Sequence, residues 1–156
     1  MLKINLPGAK TLVLTHLILD YNGTLAGDGH LLEGVAARLE ILAKQLEIHI
    51  VTADTFGSVR GQVADLPVQL AVIPLENQAQ AKAAYLDTFG ATAAVAIGNG
   101  RNDALMLKQA ALGIAVVQTE GAATAALLAA DLVTPGIIEA LDLLLHPDRL
   151  RATLRL

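Results

Sequence analysis

Short runs of apolar residues alternate along the chain with longer stretches in which apolar side chains recur every three or four positions. The short runs predict strands at residues 2–5, 11–19, 48–52, 68–73, 93–97 and 114–117, with a brief one at 132–133. Several are nearly continuous Val, Ile, Leu and Ala, the pattern of parallel strands covered on both faces. The longer stretches predict helices at 35–46, 56–63, 78–89, 103–110, 122–130 and 137–145. Gly90 follows the third as a C-cap, and Asp54 or Thr55 precedes the second as an N-cap. Strand–helix alternation implies an α/β fold with a doubly wound, mainly parallel sheet, which binds ligands at the carboxyl ends of its strands. Gly27-Asp28-Gly29, between apolar flanks in residues 24–32, predicts a small β-hairpin. No insertion is long enough to form a lid, so residues 1–156 read as one domain.

Composition narrows the class. The chain is 54% hydrophobic but only 3% aromatic, so Leu, Ile, Val and Ala must build the core. A net charge of −4 without a basic run argues against nucleic acid as a partner. The absence of cysteine excludes disulfides and a thiolate metal site. The apolar stretch at 11–19 runs straight into Asp20 and reads as a core strand rather than a signal peptide. No apolar run is long enough to span a bilayer, so the expectation is a soluble cytoplasmic protein without a membrane partner. The alanine-rich, apolar composition points to an additional buried surface, that of a homo-oligomer. His16, His30, His49 and His146 show no metal-ligand spacing and read as structural or exposed.

Chemistry gathers where the strands end. In LILDYNGTLAG, residues 17–27, an apolar run stops on Asp20 and turns at once through Asn22 and Gly23. The next strand ends on Thr52, and a later one on Gly98-Asn99-Gly100-Arg101-Asn102-Asp103, with Lys82 on the helix before it. In adjacent strands these elements converge on one cleft. A carboxylate that attacks phosphorus splits phosphoryl transfer into two easier steps. A hydroxyl and an ammonium hold and neutralise the phosphoryl oxygens, and a magnesium ion takes oxygen ligands from one or two carboxylates.

Asp20-Tyr21-Asn22-Gly23-Thr24-Leu25 resembles the nucleophile motif of the haloacid dehalogenase (HAD) superfamily, Asp-x-Asp-Gly-Thr-Leu, with Asn for the second Asp. Ile50-Val51-Thr52 resembles its second motif, Lys82 fits the third, and Gly98 to Asp103 resembles the fourth, Gly-Asp-Gly-x-Asn-Asp, again with Asn for an Asp. The match runs from about residue 12 to residue 134. Thr52-Ala53-Asp54 and the fourth motif are especially similar to the phosphorylation domain of P-type ATPases, which places the resemblance with the capless, soluble P-type ATPase-like group.

That resemblance implies a Rossmann-like HAD fold with a hairpin flap and no cap domain. It implies Asp20 as the nucleophile, Thr52 on the phosphoryl group, and Lys82 neutralising it. Mg2+ would be held by Asp20, the backbone carbonyl of Asn22, Asn99 and Asp103, the last directly or through water. Gly23, Ala53, Gly98, Arg101 and Asn102 are the implied substrate-binding positions, with Thr24 bracing the nucleophile loop. Asn22 takes the place of the family's general acid/base, whose loss typically costs about 10²–10⁴ in rate. Asn99 removes one negative charge from the metal site. Two readings stay open. One is a slow magnesium-dependent phosphohydrolase or phosphotransferase acting on a phosphorylated small molecule through an aspartyl-phosphate. The other is a pseudo-enzyme that keeps the pocket as a phosphate-binding or regulatory module.

Overall fold

A computed structural model describes residues 1–54 and 57–156. Six strands form the central sheet: β3 (His16–Leu19), β6 (Glu47–Thr52), β7 (Gln69–Val72), β8 (Ala94–Gly98), β9 (Leu112–Val116) and β10 (Leu132–Thr134). Their spatial order is β10-β9-β8-β3-β6-β7, and every pairing is parallel. The chain builds outward from β3 through β6 to β7, then returns to the other side of β3 and builds outward again through β8, β9 and β10. The crevice between β3 and β8 is therefore the topological switch point, where such sheets place their ligands.

Parallel strands need both faces covered. Leu17 and Leu19 point into one apolar cluster and Ile18 into the other, and all three are fully buried. The first face is covered by α1 (Val35–Leu42) and α6 (Ile137–Leu145), with α2 (Val59–Gln62) and the terminal helix α7 (Pro147–Leu154) completing it. Arg38 on α1 forks onto Asp142 of α6 at 2.7 and 3.1 Å, tying these two helices together. The second face is covered by α3 (Gln78–Phe89), α4 (Ala104–Gln109) and α5 (Thr124–Ala129).

The single strand expected at 11–19 is two strands in two sheets. Thr11–Leu14 (β2) pairs antiparallel with Leu2–Asn5 (β1), while His16 onward joins the central sheet. Thr15 is the joint: its N–H donates to Ala93 and its carbonyl accepts from Glu47 N–H, so the ladder with β1 cannot continue through it. The first helix ends at Leu42 instead of residue 46, and the second begins at Val59 behind Ser58. Asp54 still serves that helix, its Oδ1 accepting from Val59 N–H at 3.3 Å, whereas Thr55 and Phe56 lie outside the described residues. The helix expected at 103–110 is preceded by a 3-10 turn over Arg101–Asp103. The helices at Gln78–Phe89 and Ile137–Leu145 fall where the periodicity puts them, and Gly90 (φ 86°) caps the former.

The hairpin after the Asp20 loop pairs β4 (Ala26–Gly27) with β5 (His30–Leu31). Asp28 (φ 50°) and Gly29 (φ 79°) both take left-handed conformations, as a two-residue turn with the strands' own twist requires. Gln62 pins the flap, accepting from Leu31 N–H at 2.7 Å and donating to Gly29 O at 2.5 Å. No cap domain is present among the described residues, and no helix among them is long and apolar enough to cross a membrane.

Candidate active site

Asp20 follows β3, Thr52 ends β6, and Asn99 follows β8, so three neighbouring strands deliver three motif residues to one edge. The fourth arrives from the side. On α3 the inward stripe runs Lys82 to Leu86, one turn apart, and Lys82 is only 1% exposed. Its Nζ donates to Asp20 Oδ1 at 2.5 Å and to Asp103 Oδ1 at 2.7 Å. Asp103 is fully buried, and its Oδ2 accepts from the N–H groups of Asn99 (3.0 Å) and Gly100 (2.8 Å).

Two carboxylates and one ammonium leave this buried triad with one net negative charge. Burial alone would pull the Lys82 pKa down; the carboxylates of Asp20 and Asp103 outweigh it and hold the ammonium at about 12. Burial, together with the charge of Asp20, pushes Asp103 up to about 6, against the pull of Lys82 and the Gly100 N–H.

Glycine makes two of these contacts possible. A side chain at Gly98 would put a Cβ 2.5 Å from the Asp103 carboxyl group. Gly23 turns with φ 77°, and a Cβ there would meet the Asn99 amide at 2.5 Å. The Thr24 hydroxyl lies 2.9 Å from Asp20 Oδ2 and 3.3 Å from Asn99 Oδ1, and its one proton serves the shorter contact. Asn99 Nδ2 donates to Gly121 O at 3.0 Å. Asn22 Oδ1 is buried without a hydrogen-bond partner among the described residues.

These groups face a cleft of about 230 Å³ lined by Asp20, Asn22, Thr52, Ala53, Gln78, Lys82, Asn99, Gly100, Asn102 and Glu120. Most of the residues singled out in the sequence therefore meet there. Asp103 stands behind Lys82, while Gly23 and Gly98 supply backbone room. Arg101 is exposed and lines an adjoining surface depression with Gln78 and Asn102 instead of this cleft.

Three residues escaped the sequence reading. Gln78 lies one turn before Lys82 on the same stripe and accepts from Asn102 Nδ2 at 2.7 Å. Gln118 donates to the carbonyls of Gly23 (2.9 Å) and Thr24 (2.8 Å) and accepts from Ile137 N–H (2.8 Å). Glu120 lines the cleft wall, and its Oε1 accepts from Asp28 N–H at 3.4 Å. Both of the latter follow β9, so the strand-end rule that found Asp20 and Thr52 also covers them.

No family model matches the chain. An uncharacterised protein of Methanocaldococcus jannaschii is 54% identical over 61 residues, covering 39% of this chain and 66% of that protein. A second uncharacterised protein of the same organism is 54% identical over 39 residues, covering 25% of this chain and 89% of that protein. The chain belongs to the family of this second protein.

Among solved structures, the 3-deoxy-D-manno-octulosonate 8-phosphate phosphatase of Moraxella catarrhalis, in complex with magnesium, phosphate and the sugar acid, superposes with a TM-score of 0.69. It is 17% identical, with 90% of this chain and 92% of that one covered. The cobalt-bound phosphatase of Haemophilus influenzae gives a TM-score of 0.71 at 17% identity, covering 85% and 88%. The Yersinia pestis enzyme gives 0.67 at 20% identity, covering 87% and 83%. The fold is thus that of HAD superfamily hydrolases.

Proposed function

We propose that this chain is a magnesium-dependent phosphohydrolase or phosphotransferase that acts on a phosphorylated small molecule through Asp20. The observation that carries this reading is the Lys82 ammonium bridging Asp20 and Asp103 at 2.5 and 2.7 Å beneath a polar cleft. Lys82 donates to one carboxylate oxygen of Asp20 in a buried place, and Thr24 fixes the other. Asp20 attacks phosphorus as the ester P–O bond breaks, and the leaving oxygen takes a proton from water. Water then attacks the acyl phosphate, releasing phosphate and restoring the carboxylate. Thr52, at the cleft wall, binds the phosphoryl oxygens.

The donor set fits a hard divalent cation. Asp20, Asn99 and the Asn22 carbonyl all offer oxygen, and the unpartnered Asn22 Oδ1 leaves a polar atom in the cleft for a bound group to satisfy. Magnesium would there neutralise phosphoryl charge while retaining several waters. Both oxygens of Asp103 already hold Lys82 and the loop N–H groups, so its part toward the metal runs through water.

Asn22 offers no base to the second water, which supports slow breakdown of the phosphoenzyme, as the likeness to P-type ATPases implies. Glu120 is the remaining carboxylate on the cleft wall and the group we assign to that water. The neighbours' action on a phosphorylated sugar acid supports a small phosphate monoester as substrate.

The test is magnesium-dependent hydrolysis of an aryl phosphate by the natural chain and by Asp20→Ala. Turnover in the first and none in the second supports the reading. The two amides favour a second reading, a phosphate-binding module without turnover. Magnesium-dependent binding of inorganic phosphate by a chain that shows no hydrolysis selects it.

A further inference from the structure

The opposite edge of the sheet carries a second set of ligating groups. His16 opens β3, four residues before Asp20, which at the rise of a strand puts it about 13 Å from the nucleophile. Parallel register sets His16 beside Glu47 and Ile18 beside His49. His16, Glu47 and His49 thus share one face, the one covered by α3. Their ligand atoms all lie within 4.8 Å of one another. His16 Nδ1 stands 3.2 Å from His49 Nε2 and 3.8 Å from Glu47 Oε2.

Three features turn this juxtaposition into a built site. His49 is fully buried, and its Nδ1 lies 3.1 Å from the Tyr85 hydroxyl. An Nδ1–H donated to Tyr85 leaves the Nε2 lone pair aimed at His16, the outer-sphere arrangement that orients metal-binding imidazoles. Phe89 packs on both rings, with centroids 5.0 Å from His16 and 4.3 Å from His49, and so fixes their planes. Glu47 is exposed, which gives an ion a route in and a carboxylate to meet it.

Two nitrogens bound at 2.0–2.1 Å to a tetrahedral zinc lie about 3.3 Å apart. The separation of His16 and His49 already matches that edge.

We propose that His16 Nδ1, His49 Nε2 and the Glu47 carboxylate bind one zinc-class divalent cation, with water in the fourth position. The site is independent of the phosphoryl cleft and uses softer ligands than a magnesium site does.

The chelator-treated chain, saturated with magnesium, is titrated with Zn2+ by calorimetry and with Co2+ by visible absorption. The expected result is one ion per chain and tetrahedral cobalt bands. Glu47→Gln and His16→Ala should each weaken binding by about tenfold or more, and Tyr85→Phe by about tenfold through the lost outer-sphere bond. Asp20→Asn should leave it unchanged. Glu47 is exposed, so Glu47→Gln keeps its fold and carries the test even where His16→Ala does not. Absence of a one-to-one zinc isotherm overturns the proposal. So does binding indifferent to Glu47→Gln, or binding lost with Asp20→Asn. The direct His16–His49 hydrogen bond would then be the whole of the interaction.

Discussion

Lys82 Nζ lies 2.7 Å from Asp103 Oδ1, and both side chains are closed to solvent. The pair ties α3 to the loop after β8, and Asp20 joins it from β3. One ammonium thus serves three elements. Removing it leaves two carboxylates buried without compensation. Lys82→Met is therefore expected to lower stability by about 3–5 kcal/mol and to abolish turnover. Urea unfolding of Lys82→Met beside Lys82→Met/Asp103→Asn separates charge from packing. The second substitution should return part of the loss, because it removes one of the stranded charges.

The same triad sets a pH dependence. Asp103 rises from 3.8 in the unfolded chain to about 6 in the folded one. Between those values the folded chain holds a proton that the unfolded chain has released. This group's contribution therefore favours folding below 3.8 and falls away as pH rises to about 6. Lys82 is raised from 10.5 to about 12, so its contribution is complete below 10.5 and is lost as pH climbs through 12. Denaturant midpoints measured from pH 3 to 7 should show a falling component that Asp103→Asn removes. Activity should gain with rising pH over the same acid window, since protonated Asp103 no longer holds Lys82 as a charge partner.

Asn22 should limit the second half of the reaction. Asn22→Asp restores a group able to take a proton from water, and steady-state turnover should rise by about 10²-fold or more. Rapid-quench experiments on the natural chain should show a burst of leaving group followed by a slower steady rate, and Asn22→Asp should erase the burst. Glu120→Gln should slow the steady phase of the natural chain and leave the burst amplitude intact. A natural chain without a burst would remove the claim that breakdown is slow.

The parts legible in the sequence were those with local causes. Continuous apolar runs marked the parallel strands, and the Lys82 helix was bounded correctly because Gly90 stops it. Asp20, Thr52 and Asn99 stood out because each ends such a run. The break at Thr15 was hidden, since both halves of 11–19 are equally apolar and only their ladder partners differ. Helix α7 was missed because PDRLRATL is polar around a single buried residue, Leu150. His16 and His49 looked unrelated at a separation of 33 residues. They meet because β3 and β6 are neighbours in register, a fact of topology that spacing along one chain does not carry.

Gln118 stands near a strand end, but only topology brings its partners to it. It follows β9, two strands away from β3, yet its amide reaches the carbonyls of Gly23 and Thr24 and its oxygen receives Ile137 N–H at the start of α6. One side chain thus fixes the height of the loop after Asp20 against a helix from the other end of the chain. Gln118→Ala leaves three backbone groups in search of partners, at a cost of about 1–3 kcal/mol each where water cannot reach them. The loop should also lose its set position, and kcat should fall with little change in KM for an aryl phosphate. Gln118→Glu replaces the donor facing these two carbonyls with an acceptor and should be as damaging, whereas Gln118→Met, which fills the space without hydrogen bonds, should restore packing but not rate. Equal rates in the natural chain and Gln118→Met would show that the clamp has no part in positioning Asp20.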